Sequence, residues 1–156
     1  MKEWYFDIIQ ESDEDKLFNL FEEAIMYYKD ILEKSQNDCQ LTDDTEYHAK
    51  SLPGFMNYYF SILQDIEAIV NFIDLKYKKV KGDRLRYYME KYDRTLKSTD
   101  AEKYAETDEE VIRWLELKNL FLYYRNRYMG IIKALDVKNY QLSNIVKLKV
   151  AGFIGN

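Results

Sequence analysis

Pro53 is the only proline in a chain of 156 residues, and glycine occurs five times. So few breakers leave few places for sharp turns, which favours long helices over a many-stranded sheet. The apolar residues repeat accordingly. Between residues 12 and 36, Leu17, Leu20, Phe21, Ala24, Ile25, Tyr28, Ile31 and Leu32 recur at steps of three and four and share one helix face. Ser12 stands as a cap, followed by Asp13, Glu14 and Asp15, where a helix dipole favours negative charge. Residues 37–54 are polar, end in Pro-Gly and read as a loop.

A second helix is expected from Phe55, with Tyr59, Ile62, Leu63, Ile66, Ile69, Val70 and Ile73 on one wide apolar face. It runs into a basic stretch with no clear stop before Gly82. If helical, residues 83–97 carry Leu85, Met89, Tyr92 and Leu96 as a packing seam. Arg84, Tyr88 and Lys91 form the stripe beside it, which Tyr77 and Lys81 extend backwards. Residues 98–106 read as a connection holding about one helical turn. Thr107 and Glu110 have capping-box spacing ahead of a third long amphipathic helix with Val111, Trp114, Leu115, Phe121, Leu122, Tyr128, Met129, Ile132 and Leu135. A last, shorter element, residues 140–153, carries Leu142, Ile145, Val146, Leu148 and Val150 over about two-thirds of its surface. That is more than one packing partner needs. The fold class expected is therefore all-α, a single domain of long amphipathic helices in a bundle completed by oligomerisation. Hydrophobic residues make up 47% of the chain, enough to build a core.

Charge is unevenly spread. The net charge of −5 is made of −9 over residues 1–53, −3 over 54–75, +6 over 76–97 and +1 over the remainder. Such asymmetry marks a polyanion contact, an acidic arm, or both. Chemistry is harder to find. There is no Gly-rich phosphate loop, and one Cys and one His cannot make a zinc site. Cys39 and His48 read as two surface residues rather than a nucleophile pair. Asp43, Asp44 and Glu46 read as a solvated acidic loop rather than a cation site. The expectation is a non-enzyme without cofactor or metal. A single cysteine excludes an internal disulfide, and the apolar runs are too short for a signal peptide or a membrane span. The chain reads as soluble and cytoplasmic.

The basic stretch 76–97 holds nine Lys or Arg together with Tyr77, Tyr87, Tyr88 and Tyr92. Single-strand binders combine a positive track for phosphates with rings on which bases stack. The candidate contacts are Lys78, Lys79, Lys81, Arg84, Arg86, Tyr87, Tyr88, Lys91 and Arg94. The competing reading is a solvated basic face that balances the acidic N-terminal segment through ion pairs.

"KKVKGDRLRYY", residues 78–88, resembles a segment of the UvsY family, the recombination mediators of T4-like phages. There a Lys/Arg-rich helix runs into a Leu-x-Tyr-Tyr element, matched here by Leu85, Arg86, Tyr87 and Tyr88. Arg84 matches a basic residue of the family's DNA-binding cluster, whereas Gly82 stands where a Lys is expected, with Lys81 beside it. "TDEEVI", residues 107–112, is similar to the acidic opening of the family's long C-terminal helix, and "YQLSNIV", residues 140–146, to an element of its cyanophage members. Ser143 replaces a usual basic residue, and Ala151–Gly152 is kept with altered spacing. The resemblance covers roughly residues 55–156; residues 1–53 lie outside it, as an acidic helix plus loop.

The resemblance implies a helical, ring-forming oligomer that binds single-stranded DNA and helps a RecA-like recombinase displace single-strand-binding protein. It also implies oligomer contacts in the C-terminal helices, where Tyr140, Leu142, Ile145, Val146 and Leu148 are the candidates. Two other classes stay open: a phage structural or assembly adaptor, and a small inhibitor whose acidic surface mimics DNA.

Overall fold

The computed structural model describes residues 2–42, 44–92 and 96–153, and among these the only regular structure is helical. Five helices follow in order: α1 (Trp4–Gln10), α2 (Glu14–Cys39), α3 (Thr45–Glu90), α4 (Ser98–Glu106) and α5 (Glu109–Val150). The chain gathers into two compact units. Unit 1 comprises residues 1–66 and 124–156, and unit 2 residues 67–123. The helices α3 and α5 each contribute to both.

Several boundaries differ from the sequence expectation, each for a local reason. The cap of α2 is Asp13 rather than Ser12: its Oδ1 accepts from Lys16 N at 3.1 Å. The expected loop 37–54 shrinks to a short connection, because α3 begins at Thr45 and carries Pro53 inside it. A proline there removes one backbone donor and costs an isolated helix about 3 kcal/mol. Burial of His48, Leu52 and Tyr59 around it anchors the turn that the sequence alone would break. Gly82 is helical, and so are residues 98–106. Asp108, not Thr107, caps α5, accepting from Glu110 N at 3.0 Å, while the Thr107 hydroxyl turns back to the Lys103 and Tyr104 carbonyls. The final element is not separate but the last third of α5. That helix stops at Gly152, whose φ of +75° suits glycine. There Gly152 N donates to Lys149 O and Phe153 N to Leu148 O, satisfying two carbonyls of the last turn.

Unit 1 is built on rings and on buried polar groups that satisfy one another. Phe21, Tyr28, Tyr59 and Tyr128 are buried, with Tyr28 and Tyr128 meeting edge to face at 6.2 Å. Buried Asp65 on α3 accepts from Tyr28 Oη at 2.6 Å and from the Trp4 and Tyr5 amides at 2.9 and 3.0 Å. Those amides open α1. A seven-residue helix is too short to hold alone, and Glu3 supplies no side-chain cap; the Asp65 carboxylate does this work from another helix. Tyr128 Oη donates to Tyr28 O, and Lys138 Nζ to Asp38 O, at 2.8 and 2.7 Å.

Unit 2 has a smaller core of Ile69, Val70, Ile73, Ala101, Ala105, Val111, Trp114 and Phe121. The two alanines give α4 a smooth inner face and let a nine-residue helix pack closely.

Candidate nucleic-acid interface

The basic stretch lies in unit 2, on the second half of α3. A helix turns 100° per residue, so Ile66, Ile73, Tyr77, Lys81, Arg84 and Tyr88 continue one stripe. Towards the helix end this stripe changes from aliphatic to charged, and it stays partly buried. Lys81 Nζ donates to Glu106 Oε1 at 2.9 Å. Arg84 pairs with Glu110 and places Nε 3.4 Å from Asp108 Oδ1. Tyr88 Oη donates to Asp108 Oδ2 at 3.1 Å. Asp108 thus caps α5 and receives α3 at the same time. Hydrogen bonding to Glu106 holds the Lys81 ammonium above its ordinary pKa, and the bond to Glu110 does the same for the Arg84 guanidinium. Burial, then the bond to Asp108, raises the Tyr88 phenol.

A second acid serves two lysines. Asp74 accepts from Lys118 Nζ and from Lys78 Nζ, each at 2.6 Å. Those bonds, Lys118 first, hold its carboxyl below the usual range. Lys118 also sits 5.6 Å from the centre of the Tyr77 ring. Among the described residues, the acids that pair with the basic stretch are Asp74, Asp83, Glu106, Asp108 and Glu110, all within unit 2.

The opposite face of α3 is open. Lys79 and Arg86 are exposed seven residues apart, two turns along one face. Arg86 reaches Asp83 only at 3.9 Å, and among the described residues none pairs with Lys79. Tyr87 is exposed, its ring edge-on to Tyr88 at 5.4 Å, and Lys91 is exposed in the turn closing α3. Met89, expected in the packing seam, is exposed instead. Arg94 lies outside the described residues. Of the candidate contacts, then, Lys79, Arg86, Tyr87, Lys91 and the outward part of Lys78 face solvent, while Lys81, Arg84 and Tyr88 are engaged within unit 2.

Sequence reasoning did not single out Tyr104. Its ring stands 5.7 Å from Tyr88 and 5.8 Å from Tyr92, with planes inclined by 31° and 35°. The ring lies on α4, which read as a connection; the contact joins residues 12 to 16 apart, beyond any helical period.

In unit 1, Tyr140 is 70% exposed, Val146 and Leu148 are exposed and Ile145 is half-buried. Leu142, by contrast, is 5% exposed and packs into its own core, which removes it from any outer face. His48 is buried rather than at the surface, and its Nε2 accepts from Thr42 N at 2.9 Å. Burial pushes the Cys39 thiol up, away from thiolate chemistry. Asp44 caps the start of α3 by accepting from Tyr47 N, and Glu46 pairs with Lys50; Asp43 lies outside the described residues. Among the described residues no helix is long and apolar enough to cross a membrane. No family of proteins, no curated protein and no solved structure matches the chain.

Proposed function

We propose that this chain is a UvsY-like recombination mediator, a scaffold rather than a catalyst. It binds single-stranded DNA and helps load a RecA-like recombinase onto strands covered by single-strand-binding protein, in the cytoplasm of a host cell. The observation that carries this reading is the open face of α3. There Lys79, Arg86 and the Tyr87 ring stand in solvent on the segment that resembles the family's DNA-binding element, with Lys91 exposed in the turn that follows. Three exposed cations per copy, with Lys78 as a fourth that Asp74 also holds, make a weak site. A homo-oligomer joined through the exposed apolar residues near the end of α5 presents several copies to one strand, and effective concentration turns weak sites into a firm hold.

A second reading is favoured by one observation. Lys81 and Arg84 already have carboxylate partners, as a structural adaptor with an ordinary basic face would have.

Titration of a fluorescent ~20-nucleotide strand across a salt series separates the two. Four phosphate contacts give a log–log slope of about −3, at roughly −0.7 each. The mediator reading expects that slope and its loss when Lys79 and Arg86 are changed to Glu. The absence of binding at low salt by the folded protein overturns it in favour of the adaptor.

A further inference from the structure

Asp100, Lys103 and Tyr104 recur at i, i+3 and i+4 along one side of α4, with Tyr104 at its edge next to buried Ala101, and Thr107 caps the helix end beside them. With Leu96 they line an open cleft of about 400 Å³. Tyr104 is 45% exposed and Tyr92 42%, so neither ring is consumed by the tyrosine cluster that holds them. Tyr104 meets Tyr88 and Tyr92 with its plane tilted and keeps part of its surface in water.

Resting on the reading above, we propose that this cleft seats one base of a bound single strand, with Tyr104 as the stacking ring. Every base has a π-face, so the stacking itself takes any base, while Asp100 favours one that carries an amino group. Leu96 supplies an apolar wall, and Lys103 a cation for the adjoining phosphate. Asp100 repels phosphate but accepts a hydrogen bond from a base amino group, so the cleft suits the base rather than the backbone. Contact with Tyr88 and Tyr92 holds the Tyr104 ring in place before DNA arrives, which lowers the ordering cost of binding.

The test is the same 20-nucleotide titration with Tyr104→Ala, Tyr104→Leu and Tyr104→Phe, and with the double charge change at Lys79 and Arg86 as the separate check on DNA binding. Leucine keeps apolar volume without a π-face, which guards against a loss caused by misfolding; circular dichroism checks each variant. The expected result is a roughly tenfold weakening for Ala and Leu, an unchanged salt slope because no phosphate contact is removed, and Phe within twofold of wild type. A strand carrying 2-aminopurine loses emission on binding wild type and regains it with Tyr104→Leu. If Ala and Leu bind as wild type does while the charge changes abolish binding, the seat is overturned and the DNA-binding reading survives. If wild type does not bind, both fall.

Discussion

Lys81 Nζ donates to Glu106 Oε1 at 2.9 Å, and one turn further along α3 Arg84 meets Asp108 and Glu110. Carboxylates from the end of α4 and the start of α5 thus hold both cations. Changing Glu106 and Glu110 to Gln and Asp108 to Asn frees two cations, and Asn keeps a side-chain oxygen to cap α5. Under the proposed function the strand then binds more tightly and the salt slope steepens by about 1.4, two contacts at roughly 0.7 each. An unchanged slope in the anisotropy titration would show that Lys81 and Arg84 serve unit 2 alone.

Gly82 is helical, and a Cβ added there meets nothing within 4 Å. Replacement by Ala is expected to stabilise the protein by about 1 kcal/mol, seen as a higher urea midpoint with unchanged m-value. Under the proposed function, replacement by Lys, between Lys79 and Arg86 on the same face, also tightens DNA binding in the titration above.

Asp65 accepts three hydrogen bonds in the unit 1 core. Asp65→Ala removes the acceptor that the Trp4 and Tyr5 amides and the Tyr28 hydroxyl share, at a cost of roughly 3 kcal/mol. Urea unfolding measures the loss. Hydrogen exchange shows α1 opening first, since no other side chain caps it. Asp65→Asn keeps one acceptor oxygen and loses less.

Burial raises the phenols of Tyr28, Tyr59 and Tyr128 above their ordinary pKa, helped by the bonds to Asp65 for Tyr28 and to Asp38 for Tyr59. Above pH ~10 the unfolded phenols ionise while the folded ones keep their protons. The unfolded state then binds fewer protons, so stability is full below pH ~10 and falls above it. Cys39, Tyr58, Lys81 and Tyr88 are also raised and act in the same sense, whereas burial lowers the Lys138 ammonium, which acts in the opposite one. Urea midpoints followed from pH 8.5 to 11.5 should fall, and Tyr128→Phe should flatten the fall; a level profile would contradict the assignment.

Tyr140, Val146 and Leu148 are exposed near the end of α5, whereas Leu142 is buried. If the proposed oligomer uses this surface, Tyr140→Asp with Leu148→Asp lowers the mass in light scattering without lowering the melting temperature. Leu142→Asp does the reverse and destabilises the fold by several kcal/mol, since it buries an unpaired charge.

The sequence by itself determined that the chain is helical and where its apolar faces run. Periodicity is a local property, and it survives at Leu17, Phe21, Ala24 and Tyr28 as well as along Ile62, Ile66, Ile69 and Ile73, all but unchanged in the structure. It also marked residues 76–97 as unusually basic. Tertiary structure alone decided the rest. Pro53 reads as a stop, yet packing around it carries α3 through. Lys81 and Arg84 read as free cations, yet residues 25 and 26 positions away neutralise them. Leu142 reads as one more interface residue, yet the turn of α5 sends it inwards. For Lys81 and Arg84 the deciding partner lies beyond the reach of a helical repeat; for Pro53 and Leu142 burial of a whole helix face outweighs the local preference of a single residue.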